Sequence, residues 1–352
     1  MKPGCELHAW QIVILPSGLL NCEIRTDVDI IINSIAILAG FGLLIWSADR
    51  FVDGASATAR NLGVSPLVIG LTIVGFGTSA PEMMVSAFAA AGGNPGLAVG
   101  NAIGSNITNI ALVLGATAVI VPMTVHSSIL KREYPLLLLT TVVAIGLLGW
   151  DNHLGRMDGI LLFILLFAIL FWLVRQSLKN RDSDPMILEY EMEIPDAMPM
   201  KKAVTLLLIG LLVLLLSSRL LVWGAVNIAT AFGVSDLIIG LTIVAIGTSL
   251  PELAASIASA RKNEHDIAIG NVIGSNMFNI CGVLGIAGLI HPETLDPGVL
   301  SRDLPLMFIL TLILFIISFG FRAPGRINRF EGGFLLLVYA AYGVLLYNSI
   351  TA

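Results

Sequence analysis

The chain has 352 residues, 56% of them hydrophobic and only 12% charged, with a formal net charge of −5; its mean hydropathy is +0.91. Soluble domains carry about twice that charged fraction, and no soluble core could hide this much apolar surface, so the composition excludes a soluble class and indicates a polytopic membrane protein. No basic patch with interleaved aromatics supports nucleic acid as a partner, and Cys5, Cys22 and Cys281, with no CxxC spacing, supply neither a disulfide framework nor a thiolate metal centre.

Taken in order, residues 1–29 read as an N-terminal tail, expected to be disordered. Their apolar run, Ala9–Leu20, is broken by Pro16 and is too short to span a bilayer. Ten hydrophobic spans follow, over about 30–49, 66–90, 97–121, 134–149, 157–175, 202–222, 236–260, 267–290, 304–321 and 332–349. The first is expected to run on through Asp49, Arg50 and Asp53 toward Arg60. Residues 176–201 form the only long hydrophilic stretch; with Asp182, Asp184, Glu189, Glu191, Glu193 and Asp196 among prolines, it reads as an acidic linker without EF-hand spacing. The expected layout is therefore an all-α fold: a first five-helix repeat over 30–175, the linker, and a second five-helix repeat over 202–352.

Ten crossings place both termini on one side. The loops after spans one, three, five, seven and nine carry 14 of the 19 Lys and Arg residues, and the other side carries 5. Basic loops stay in the cytoplasm, so the linker is expected to be cytoplasmic and both termini outside.

Gly70–Glu82 reads GLTIVGFGTSAPE and Gly240–Glu252 reads GLTIVAIGTSLPE; aligned at an offset of 170, residues 63–115 match 233–285 without a gap and with 29 identities in 53 positions. This is an internal repeat. Five spans per half is an odd number, so the second copy should enter the membrane the other way up. The loop Ala91–Gly96 is uncharged, whereas its partner Arg261–Asp266 reads RKNEHD, a divergence expected of equivalent loops on opposite faces. Inverted repeats place a binding site at the midplane, between broken helices.

Each copy sets one carboxylate, Glu82 or Glu252, inside an apolar span, where an unpaired charge costs roughly 3 kcal/mol or more. Ser79-x-x-Glu82 and Ser249-x-x-Glu252, with Pro81 and Pro251, have the form of a helix-start capping box. A break is thus expected near Gly77–Ser79 and again near Gly247–Ser249, freeing carbonyls and directing a helix N-terminus at each carboxylate. The following spans carry GNAIGSNITN, Gly100–Asn109, and GNVIGSNMFN, Gly270–Asn279. Gly100 and Gly104 form a small-xxx-small pair for close helix contact. Ser105 and Asn109 lie four apart on one helix face. The inferred site joins Glu82 and Glu252 with the hydroxyls of Thr78, Ser79, Thr248, Ser249, Ser105 and Ser275 and the amides of Asn109 and Asn279. All of these donors are oxygen or amide, the set that hard cations such as calcium take.

These paired motifs resemble the alpha-repeats of the calcium/cation antiporter superfamily, which includes the sodium/calcium exchangers; the layout is similar to its bacterial inner-membrane calcium/sodium antiporters of the YrbG type. The resemblance implies that Glu82 and Glu252 ligate calcium and share it with sodium sites. It also implies that Thr78, Thr248, Gly75 and Ala245 contribute backbone carbonyls, that Ser79, Ser249, Ser105 and Ser275 contribute hydroxyls to sodium, and that Asn109 and Asn279 line the middle site. Other members, including the archaeal exchanger and the potassium-dependent ones, have aspartate where this chain has Asn279, which argues against potassium dependence. The expected function is exchange of calcium for sodium by alternating access, in a protein of the bacterial inner membrane that works as a monomer. It is not an enzyme, and its partners are the lipid bilayer and the transported cations, with no cofactor. Proton-coupled calcium exchange is the alternative, and a cation channel would use the same ligands without needing inversion.

Overall fold

The computed structural model describes residues 20–125, 127–179, 198–232, 245–319 and 325–351. Apart from four strands of two or three residues, the elements are helices. Nine helices among the described residues are long and apolar enough to cross a membrane. The expected span 236–260 is described only from Ala245 onward, and the acidic residues 182–196 of the linker lie outside the described residues.

Helix α1, Leu20–Leu62, starts ahead of the expected boundary at residue 30, so the stretch read as tail is helical from Leu20. At its other end it runs past Asp49 and Arg50 to Arg60 as expected. Pro66 then opens α2, Pro66–Ile69, a π-helical turn occupies Gly70–Val74, and α3 covers Gly75–Ala91. The third span combines α4, Pro95–Thr108, a π turn over Asn109–Leu114, and α5, Gly115–Ile120. Strand β1, Met123–Val125, leads to α6, Ser127–Asp151; β2, His153–Leu154, leads to α7, Arg156–Lys179.

The second half opens with α8, Met200–Ala231. Short α9, Ala245–Thr248, and α10, Leu250–Arg261, follow. The next span joins α11, His265–Phe278, a π turn over Asn279–Val283, and α12, Leu284–Ile290. Strand β3, Glu293–Thr294, precedes a π turn over Val299–Asp303 and α13, Leu304–Ser318; β4, Gly325–Ile327, precedes α14, Arg329–Thr351.

The offset of 170 recurs in the geometry. Both π turns after the GSN motifs begin on the repeated asparagine, Asn109 and Asn279. Gly93 and Asn263, 170 apart, both take positive φ, 78° and 61°, in the loops after the two carboxylate helices. The long helices α1 and α8 pack along one another through glycines. A Cβ on Gly54 would lie 2.8 Å from the Ala203 carbonyl oxygen, and one on Gly224 would lie 2.7 Å from the Asn33 carbonyl oxygen. Residues 203 and 33 are again 170 apart. Contact of 54 with 203 and of 224 with 33 means that α1 and α8, equivalent in the repeat, run antiparallel.

The connections separate into two groups. Asn61 donates to the Met198 carbonyl (2.9 Å), Arg60 pairs with Glu264 (3.2 Å) and Lys262 with Asp53 (2.7 Å), which gathers the ends of α1 and α10 and the start of α8. Strand β1 pairs antiparallel with β4, Met123 opposite Ile327. Strand β2 pairs with β3, and Leu295 N–H donates to the Asn152 carbonyl (2.8 Å). A Cβ on Gly96 would lie 3.7 Å from Glu293. Each contact joins loops of like parity in the span order, and each strand pair ties one half of the chain to the other. The two spans carrying the GSN motifs are central: 72% and 83% of their apolar windows are buried, against 17% for the span in α14.

Candidate functional site

The two carboxylate helices reach the site differently. Proline has no N–H to give and crowds the preceding turn, so Pro81 deprives the Gly77 carbonyl of its helical donor and Pro251 deprives that of Gly247. In the second copy the helix does break: Ser249, at φ −92° and ψ 5°, separates α9 from α10, and Glu252 lies in the first turn of α10. There the partial positive charge of the helix N-terminus acts on the carboxylate. The liberated Gly247 carbonyl accepts from the Ser218 hydroxyl of α8 at 3.0 Å. In the first copy α3 continues through Gly77–Ser79 with Pro81 inside it. The break expected near Gly77–Ser79 is therefore absent, and the irregular turn lies earlier, at Gly70–Val74. Glu82 is about two turns into α3, beyond the reach of its N-terminus. Neither serine makes a side-chain cap: Ser79 lies within α3, and Ser249 holds the cap position without the bond.

Close backbone approach brings the repeats together. A Cβ on Gly270 would lie 2.8 Å from the Leu67 carbonyl oxygen, and one on Gly75 would lie 3.0 Å from the Gly274 carbonyl carbon and the Ser275 nitrogen. Only glycine permits this spacing without displacement. For Gly100 and Gly104, no neighbour among the described residues comes within 4 Å of a Cβ, and the equivalents of Leu67 and Leu71, residues 237 and 241, lie outside the described residues.

Thr78 of one repeat consequently meets Ser275 of the other, with the hydroxyls 3.2 Å apart. Thr78 Oγ1 also lies 3.1 Å from Asn271 Oδ1, and Ser275 Oγ donates to the Gly75 carbonyl at 3.4 Å. Ser79 Oγ reaches Glu252 Oε1 at 3.5 Å, so the helix that carries Glu82 also touches the opposite carboxylate. The structure thus joins Gly75, Thr78, Ser79, Ser275 and Glu252. Thr248 sits in α9 beside Ser249, and Ala245 begins that helix. Ser105 is 6% exposed, and Asn109 and Asn279 open their π turns one helical turn beyond Ser105 and Ser275.

Glu82 and Glu252 are each 1% exposed. Among the described residues, both Glu82 carboxylate oxygens, Glu252 Oε2, Ser249 Oγ and the side-chain amides of Asn109 and Asn279 have no hydrogen-bond partner. Buried polar groups are ordinarily satisfied, because each orphan costs on the order of 1–3 kcal/mol and a charged one more. A cluster of orphaned oxygens at matching positions of two repeats suits a dehydrated cation that supplies the missing partner. No group of three or more His, Cys, Asp or Glu side chains that could hold a metal occurs among the described residues.

Sequence reasoning missed the role of Asn101 and Asn271. Asn101 Nδ2 donates to the Glu82 carbonyl (3.1 Å) and Ser86 Oγ (2.9 Å), and Asn271 Nδ2 to the Glu252 carbonyl (3.2 Å) and Ser256 Oγ (3.0 Å). The signal was present, since both asparagines and both serines keep the 170-residue offset.

Residues 33–175 and 202–348 match the family described as sodium/calcium exchanger protein. CaxA of Alkalimonas amylolytica is 50% identical over 322 residues, covering 91% of this chain and all of CaxA. The inner membrane protein YrbG of Escherichia coli is 42% identical over 312 residues, covering 87% of this chain and 95% of YrbG. The solved structure of the sodium-calcium exchanger NCX_Mj superposes with a TM-score of 0.76 at 35% identity, covering 89% of this chain and 98% of that one. With both halves matched and the helical architecture shared, the chain is a multi-pass membrane protein belonging to the sodium/calcium exchanger family.

Proposed function

We propose that this protein exchanges calcium for sodium across the bacterial inner membrane by alternating access, with the two ions competing for one site built around Glu82 and Glu252. The observation that carries this reading is the pair of carboxylates, each 1% exposed and, among the described residues, left with orphaned oxygens beside neutral hydroxyls and amides. Two carboxylates match the charge of one calcium ion, and sodium ions can replace it in turn. Coupling follows if neither the empty nor the mixed state crosses readily. Ser105 and Ser275 favour sodium as the counter-ion: neutral oxygens complete a sodium shell but give a proton no advantage.

The assignment of ligands is part of the proposal. Glu82 and Glu252 bind calcium, Thr78, Thr248, Gly75 and Ala245 supply carbonyls, Ser79, Ser249, Ser105 and Ser275 supply hydroxyls, and Asn109 and Asn279 line the centre. So is the topology, with ten crossings in two inverted halves, the linker cytoplasmic and both termini outside. The antiparallel packing of α1 on α8 and the like-parity loop contacts support inversion. Nothing in the proposed cycle requires a second copy of the chain.

Glu82→Gln and Glu252→Gln keep side-chain size and remove the charge that offsets calcium dehydration. Each should abolish calcium exchange in proteoliposomes while the purified protein stays monodisperse. Normal exchange by either variant would refute a site shared by both carboxylates.

A further inference from the structure

We propose that Asn271, with Asn101 as its counterpart, is a positioning residue that holds the two half-sites in register and thereby sets cation affinity; this rests on the exchange reading above. Asn101, Ser105 and Asn109 are spaced four residues apart, as are Asn271, Ser275 and Asn279, so each triplet lines one helix face. The first member of each triplet donates its amide N–H groups to the carbonyl of the carboxylate residue itself and to a serine one turn further on. The helix bearing Ser105 or Ser275 is thereby pinned at a fixed height against the helix bearing Glu82 or Glu252. Four side-chain bonds of 2.9–3.2 Å, duplicated at the 170-residue offset, make this a built feature of the fold.

Asn271 does more than its counterpart is seen to do. It is fully buried. While its nitrogen holds the Glu252 helix, its oxygen lies 3.1 Å from the Thr78 hydroxyl of the opposite repeat. Thr78 has one hydroxyl proton and several acceptors within reach, the Val74 carbonyl at 3.1 Å, Asn271 Oδ1 at 3.1 Å and Ser275 Oγ at 3.2 Å. With that proton directed at Asn271 Oδ1, the Thr78 lone pairs are left free to face a cation. One amide thus bonds the backbone of one repeat's carboxylate and meets the threonine hydroxyl of the other repeat.

The test is calcium binding by calorimetry on the purified full-length protein, beside its melting temperature. Asn271→Leu keeps the approximate shape and removes both polar functions; Asn271→Ala is the second variant. Asn106→Ala is the control, because Asn106 is also buried and, among the described residues, donates to Ala102 of its own helix, at 2.7 Å, and to no carboxylate residue. The expected result is calcium affinity weakened about tenfold in the Asn271 variants, the scale of one lost buried hydrogen bond, with Asn101→Ala weakened in the same direction. Asn106→Ala should melt lower and bind calcium as the wild type does. Wild-type affinity in a folded Asn271→Leu or Asn271→Ala protein would overturn the inference and leave Asn271 as packing. Failure of the wild-type protein to bind calcium at all would overturn the exchange reading as well.

Discussion

Gly274→Ala tests the packing that brings the two half-sites together. A Cβ at residue 274 would fall on the Leu71 carbonyl oxygen, with the Leu71 carbonyl carbon and Cα both at 2.8 Å. These are backbone atoms and cannot rotate away. Restoring ordinary contact at 3.4 Å requires α11 to move by at least about 0.6 Å from the Gly70–Val74 turn. Applied along the Thr78–Ser275 contact of 3.2 Å, the same shift stretches it to about 3.8 Å, beyond hydrogen-bond range. Overpacking of this kind costs roughly 1–3 kcal/mol, partly offset by the gain of about 1 kcal/mol from replacing glycine inside a helix. Gly343→Ala isolates the second term, since a Cβ there meets nothing within 4 Å among the described residues. Detergent-solubilised Gly343→Ala should melt at or above the wild-type temperature and exchange calcium normally. Gly274→Ala should melt below it and have lost most of its exchange. Equal stability and activity in the two variants would refute the close approach of α11 to Leu71.

Ser218→Ala removes the donor to the Gly247 carbonyl left open by Pro251. It should cost about 1 kcal/mol of stability, read as a lower melting temperature, and no change would mean that another group satisfies that oxygen. In a background free of Cys5, Cys22 and Cys281, Asn94→Cys should react with an impermeant thiol reagent from outside the cell, and Asn263→Cys should not. Labelling of both from one side would contradict inversion of the halves. Ser105→Ala or Ser275→Ala should weaken the effect of sodium more than calcium binding, measured as sodium competition against bound calcium; equal weakening would reassign the serines to helix packing.

The duplicated segments were legible because polar residues in apolar spans are costly and two copies of the same exception are unmistakable. Glu82, Glu252 and the GSN motifs stand out for that reason, and the structure buries both carboxylates. The helix break was legible in the second copy and not in the first. Gly-Thr-Ser-x-Pro-Glu occurs in both copies, yet Ser249 interrupts its helix and Ser79 does not. The motif is shared, but the residues around it differ, Gly75 against Ala245, Phe76 against Ile246 and Ala80 against Leu250, and in the first copy Gly70 and Gly75 are seated against the backbone of α11. The roles of Asn101 and Asn271 escaped for a similar reason. Their place in the motif is plain, but which carbonyl they reach depends on the register between neighbouring helices. The reach of α1 back to Leu20 was missed because Asp27, Asp29, Glu23 and Arg25 make that stretch polar, and span hydropathy does not report where a helix begins.

Competition between sodium and calcium for the Glu82–Glu252 site is what would couple the two fluxes. Its most direct test is release of calcium from loaded proteoliposomes when sodium is added outside at constant pH. Calcium should leave rapidly when sodium is added and stay inside when potassium or choline is added. An outward calcium flux that ignored sodium and followed an imposed pH gradient would contradict it and assign the exchange to protons.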